Sequence, residues 1–141
     1  MKFVNYKVRL NGDTITIPLS RPCKCQIGLV EISIAEIQSS TNDNAIDVKC
    51  EQIDSTFENP NRLLQRIAFS SIRPKQYYHT WTARFIQMKT VDSEDRFLTL
   101  KINRTSDNSQ LVLGDKVRDN GVFLTLAFSN LDDPESWTTY I

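Results

Sequence analysis

Apolar and polar residues alternate through most of this chain, in short runs separated by turn-forming residues. The first two runs, YKVRL and DTITIPL, lie on either side of Asn11-Gly12. Period-two alternation sends every apolar side chain of a strand to one face, and Asn-Gly tolerates the positive φ angles of a tight hairpin turn. The pattern predicts a hairpin in which Val8 faces Ile15, Tyr6 faces Ile17 and Val4 faces Leu19. Pro18 has no amide to donate, which suits a strand end or a sheet edge.

The next run, CKCQIGLVEISIAEI, changes phase in its middle. Cys25, Ile27 and Leu29 alternate, then Val30, Ile32 and Ile34 alternate on the opposite parity. Such a switch marks a β-bulge or a bend, and Gly28 lies beside it. The competing reading is a short helix from Val30 to Ile37, with Val30, Ile34 and Ile37 on one side. Beyond the polar loop QSSTNDNA, residues Ile46, Val48 and Cys50 form a short alternating strand, and DSTFENPN breaks it.

RLLQRIAF and HTWTARFIQM read as two further strands, the second turning Trp81, Ala83 and Phe85 inward. RFLTLKI alternates through Leu98, Leu100 and Ile102, QLVL is a short strand, and VFLTLAF alternates strictly from Val122 to Phe128. Eight or nine short strands with turn chemistry between them predict an all-β chain, an antiparallel β-sandwich or a barrel of two sheets, with the sandwich preferred. No repeat or linker divides it. The expected organisation is one β domain over 1–129 and a C-terminal tail or arm over 130–141.

Composition adds limits. The 141 residues are enough for one core, and 40% hydrophobic with 24% charged residues is ordinary for a globular chain. Lys plus Arg equals Asp plus Glu at 17 each, so total charge selects no partner. MKFVNYKVRL has no apolar core of a secretory signal, and no stretch approaches the roughly 20 apolar residues of a membrane-spanning helix. Three cysteines, an odd number, argue against a disulfide framework and for a reducing intracellular compartment, cytoplasm or nucleus. Asn103-Arg104-Thr105 is a glycosylation sequon, accidental without a secretory route.

Candidate chemistry is sparse. Cys23, Cys25, Cys50 and His79 could in principle bind zinc, but a C-x-C pair is tighter than usual ligand spacing and no second close pair exists. Cys25 and Cys50 fit buried strand positions, so no metal and no cofactor is expected. Any Ser-His or Cys-His scheme must pass through His79, and no nucleophile elbow or glycine-rich phosphate loop is present. Asp92, Glu94 and Asp95 cluster in a turn, ordinarily a solvated loop. No catalytic residue is assigned, and the chain is not read as an enzyme.

Charge distribution says more. No acidic residue occurs from Asn59 to Val91, while Arg62, Arg66, Arg73, Lys75, Arg84 and Lys89 are interleaved with Phe69, Tyr77, Tyr78, Trp81 and Phe85. Basic groups for phosphates and aromatics for stacking are what single-strand nucleic-acid binders use. The plainer account is a core with solvated basic faces, and the neutral total favours it. These residues are equally candidates for subunit contacts. At the other end, LDDPESWTTYI carries Asp132, Asp133 and Glu135, then Trp137, Tyr140 and Ile141. That tail could dock on its own domain or reach a neighbouring subunit's basic segment.

Three segments, CQIGLVEISI, VKCEQIDSTFENPNRLLQRIAF and LTLKINRTSDNSQLVLGDKVRDNGVFLTLAF, together with the opening hairpin, carry a resemblance. In order and spacing they resemble the virion proteins of Polinton (Maverick) elements and the related adintoviruses, over about Phe3 to Phe128. The motifs are β-scaffold patterns, not catalytic signatures. Two departures stand out: Cys23-Lys24-Cys25 replaces a Trp-containing start, and Asp119-Asn120-Gly121 replaces a glycine-led ending. The chain is also shorter than those relatives.

The resemblance implies a jelly-roll-like domain that self-assembles through its edges into trimers or pentamers. The setting would be a virion or virus-derived particle, with other capsid proteins as further partners. Capsid, minor capsid and penton-like roles all remain open. The alternatives are a nucleic-acid-binding β domain using 59–91, and a glycan- or small-ligand-binding sandwich with Trp81 or Trp137 as platform.

Overall fold

The computed structural model describes residues 1–8, 14–34, 45–68, 79–104 and 122–130. Nine strands lie within them: β1 (Lys2–Val8), β2 (Thr14–Pro18), β3 (Lys24–Ile34), β4 (Ala45–Cys50), β5 (Leu63–Ala68), β6 (His79–Thr82), β7 (Lys89–Asp92), β8 (Phe97–Arg104) and β9 (Val122–Asn130). One sheet has the order β1-β9-β3-β6, with β7 pairing the same edge of β3 as β6, and the other has the order β2-β8-β4-β5. Every pairing is antiparallel. The fold is the expected antiparallel β-sandwich.

Its winding is specific. With β6 and β7 counted as one interrupted strand, the chain changes sheet at every connection except β4 to β5. That is the order of a jelly roll, two interlocked Greek keys.

The core follows the alternation. Ile15, Ile17, Ile46, Val48, Leu64, Ile67, Leu98, Leu100 and Ile102 from one sheet are buried, and Cys25, Ile27, Leu29, Ile32, Ile34, Val122, Leu124, Leu126 and Phe128 from the other. Val4, Tyr6, Val8 and Trp81 pack against them at the margin. Removing this apolar area from water stabilises the sandwich at roughly 25 cal/mol per Å².

The phase switch in β3 is a bulge, since its register with β9 shifts between Leu29 and Glu31. The extra residue, Val30, lets Ile32 and Ile34 return to the core side after Leu29. Residues 30–34 are therefore strand and not the start of a helix. Pro18 ends β2, an edge strand, as expected.

The opening hairpin is a correction. β1 pairs with β9, setting Val8 opposite Val122 and Tyr6 opposite Leu124. β2 pairs with β8, setting Ile15 opposite Leu100 and Ile17 opposite Leu98. The two strands belong to different sheets, and Asn11-Gly12 lies outside the described residues. Alternation demands only that each apolar face meet another. Two strands facing across a core satisfy that as well as two strands side by side.

HTWTARFIQM is also not one continuous strand. β6 pairs with Glu31–Ile34 of β3 and β7 with Lys24–Ile27, and residues 83–88 leave the sheet between them. Trp81 faces the core, but Phe85 is 82% exposed and does not turn inward. The detour lies over the outer face of β3. A Cβ on Gly28 would come within 2.6 Å of Ile86 and 2.8 Å of the Met88 sulfur. This cover explains why Ala127, beside Gly28 in the register, is buried on the outward side of its strand.

Candidate functional site

The basic, aromatic segment does not form one patch among the described residues. Arg66 sits on β5, on the outer face of the β2-β8-β4-β5 sheet, where Nε and Nη2 donate to Asp47 Oδ1 and Oδ2 at 2.8 and 3.1 Å. That bidentate pairing holds the guanidinium pKa above its usual range, through the hydrogen bonds first and the nearby charge second. The Asp47 side chain is 5% exposed and that of Arg66 is 60% exposed, so the pair anchors a buried carboxylate.

Arg62 precedes β5 at φ 56° and donates from Nε to the carbonyl of Ile53 at 3.1 Å. Arg84 is exposed in the 83–88 detour of the opposite sheet, and Lys89 opens β7. Arg73, Lys75, Tyr77 and Tyr78 lie outside the described residues, as do Phe69 and the tail residues Asp132, Asp133, Glu135, Trp137, Tyr140 and Ile141. β9 itself runs through Asn130, which pairs with Cys25. The strand thus extends one residue past the expected boundary of the β domain.

The thiols are enclosed. Cys23, Cys25 and Cys50 are free and buried, with the Cys23 and Cys25 sulfurs 3.5 Å apart. The hydrogen bond to Cys25, then burial, push the Cys23 thiol pKa strongly upward. Burial pushes Cys50 up to about 12. A reactive cysteine needs the opposite shift, because the thiolate is the nucleophile. His79, on β6, pairs through its backbone with Ile34. Among the described residues no group of three His, Cys, Asp or Glu side chains is placed to hold a metal ion.

Beside Cys50, the side chain of Gln52 ties three elements together. Its Oε1 accepts the Thr99 amide at 2.7 Å and the Cys50 thiol at 3.6 Å, and Nε2 donates to Asp95 Oδ2 at 3.1 Å. Nothing in the alternation marked this residue. The turn carboxylates read as a solvated cluster are engaged as well: Lys24 lies 2.7 Å from Glu94 and 3.8 Å from Asp92. Asn103 of the sequon is 6% exposed within β8, so the folded sandwich has no room for a glycan there.

Among the described residues a further surface is exposed. On the outer face of the other sheet, three cross-strand rows follow from the register: Phe3–Ala127–Gly28, Asn5–Thr125–Glu31–Thr82 and Lys7–Phe123–Ser33–Thr80. The first is covered at Gly28 by residues 83–88, while the other two border a shallow depression of about 480 Å³. Within it Thr125 donates to Asn5 Oδ1 at 2.6 Å, and the Lys7 ammonium stands 5.4 Å from the centre of the Phe123 ring. Trp81, the platform of the glycan- or small-ligand alternative, is partly buried and packs against the core. No glycan stacking surface is assigned to Trp137, which is outside the described residues.

Together these features define the chain as an antiparallel β-sandwich in jelly-roll order whose described polar side chains mostly brace its own turns and edges. No family model matches the chain, and no curated protein or solved structure matches it either.

Proposed function

We propose that this chain is a non-enzymatic structural protein of a virion or virus-derived particle, a jelly-roll unit that self-assembles into symmetric oligomers. The observation that carries the reading is the strand order, β1-β9-β3-β6 against β2-β8-β4-β5, a winding that viral capsid domains use among other proteins. Fold alone does not assign function, and the viral part rests on the resemblance of the three β segments. The chemistry is consistent with it. The Cys23 and Cys50 thiols are held protonated, Asp92, Glu94 and Asp95 are paired, and Arg66 and Arg62 brace the β4–β5 region.

The deciding experiment is the solution mass by light scattering, for the full chain and for a chain ending at Asn130. A discrete trimer or pentamer, or a two-fold pair of such rings, is expected from the full chain, falling to smaller species without residues 131–141 if the tail is the linking arm. A monomer at every concentration would overturn the assembly reading.

A further inference from the structure

We propose that the open outer face of β1, β9 and β3 is a two-fold contact with a second copy of this chain, in which each Lys7 pairs with the partner's Glu31. This rests on the reading that the chain assembles, and it adds a contact distinct from any edge-to-edge ring.

The face is unusual in how the molecule treats its two ends. At Gly28 and Ala127 the chain covers the outer surface with its own Ile86 and Met88. At the other end it leaves Phe123 42% exposed. The Phe123 ring in the centre of the sheet face, rimmed by Asn5, Thr125, Ser33 and Thr80, has the anatomy of a contact: an apolar centre and a polar rim.

Charge selects the occupant. The two rows contain one cation, Lys7, and one anion, Glu31, both at the margin of the depression. Among the described residues neither takes part in an ion pair. They stand two strand spacings apart, roughly 10 Å, and one two-residue step apart along the strands. That separation keeps them from pairing within one chain.

A surface bearing one charge of each sign is complementary to itself. A two-fold axis lying in the plane of the face, crossing the line between the two residues at its midpoint and at right angles, exchanges their positions. It sets each Lys7 over the partner's Glu31 and the reverse, as an isologous interface requires. The midpoint falls on β9 between Phe123 and Thr125. The two Phe123 rings therefore meet near the axis, each already attracting the Lys7 ammonium to its face. A partner of one net sign would leave one of the two charges unpaired. A second copy leaves none.

Charge reversal tests this without disturbing the core, because both side chains lie on the outer face. The mass and the concentration dependence of the full chain would be measured by sedimentation for wild type, Lys7→Glu, Glu31→Lys and the double exchange. Each single reversal is expected to weaken the two-fold step at least tenfold and halve the mass, and the double exchange to restore both. Circular dichroism would show each variant folded.

An oligomer whose mass ignores both single reversals overturns this contact and leaves the assembly reading standing. A plain dimer that is sensitive to them supports the contact and overturns the trimer or pentamer. Single reversals that weaken association with no rescue by the double exchange overturn the reciprocal pairing. A wild-type monomer overturns both readings.

Discussion

Gly28 lies under Ile86: a Cβ at position 28 would stand 2.6 Å from the Ile86 Cγ2 and 3.0 Å from the carbonyl oxygen of Gln87. Two stretches far apart in sequence thus meet at a point where only hydrogen fits. The contact holds residues 83–88 on the outside of β3 and separates β6 from β7.

Gly28→Ala is therefore expected to destabilise the fold by about 1–3 kcal/mol, the usual cost of overpacking, and Gly28→Val by more. Strand propensity alone points the other way, since replacing Gly within a strand ordinarily gains about 0.5–1 kcal/mol. Chemical denaturation decides between them. A gain in stability would show that residues 83–88 do not press on β3.

Gln52 predicts a two-way effect. Gln52→Met removes the acceptor for the Thr99 amide and the donor to Asp95, and is expected to cost about 1–3 kcal/mol through the buried amide left unpaired. Gln52→Glu keeps an acceptor for Thr99 but faces the Asp95 carboxylate. Its penalty should be small in acid and grow as pH rises and the new carboxyl ionises. A penalty for Gln52→Glu that does not vary with pH would sink this account of the contact.

The thiols set a limit at high pH. Cys50 moves from an ordinary value of 9.0 to about 12 on folding, chiefly by burial, and Cys23 also moves up. Above pH 9 the unfolded chain loses those protons while the folded one keeps them. Stability should be complete below that pH and fall as pH rises toward 12, by about 1.4 kcal/mol per pH unit for each thiol involved. Cys50→Ala should flatten the slope whatever it does to stability at neutral pH. Iodoacetamide at neutral pH should leave all three cysteines of the native protein unmodified and label them only after unfolding. Rapid native labelling would contradict their burial.

Legibility in the sequence followed the range of the interaction. The inward positions of β3, β8 and β9 could be read off directly, because alternation reflects strand geometry and a strand's own residues carry it. The bulge at Val30 was legible for the same reason, as a change of parity. Phe85 was misread because its parity matched Trp81, and parity means nothing once the backbone leaves the sheet after Thr82. The Arg66–Asp47 pair was hidden: Arg66 was visible as a charge, but its partner is 19 residues away and was brought alongside by the β4–β5 register. Gln52 carried no signal at all, since its partners Thr99 and Asp95 come from beyond β7.

What the sequence determined by itself is most of the strands, their apolar faces and the burial of Cys25 and Cys50. Each of these depends on neighbours within a few positions and on the transfer of apolar side chains out of water. The tertiary structure alone decided which strands pair. A strand's edge hydrogen bonds are the same whatever the partner, so Val8 could as well have met Ile15 as Val122. Closing two complementary apolar faces over one core settled that choice. It sent β1 and β2 to opposite sheets and left Lys7, Phe123 and Glu31 together on the open outer face.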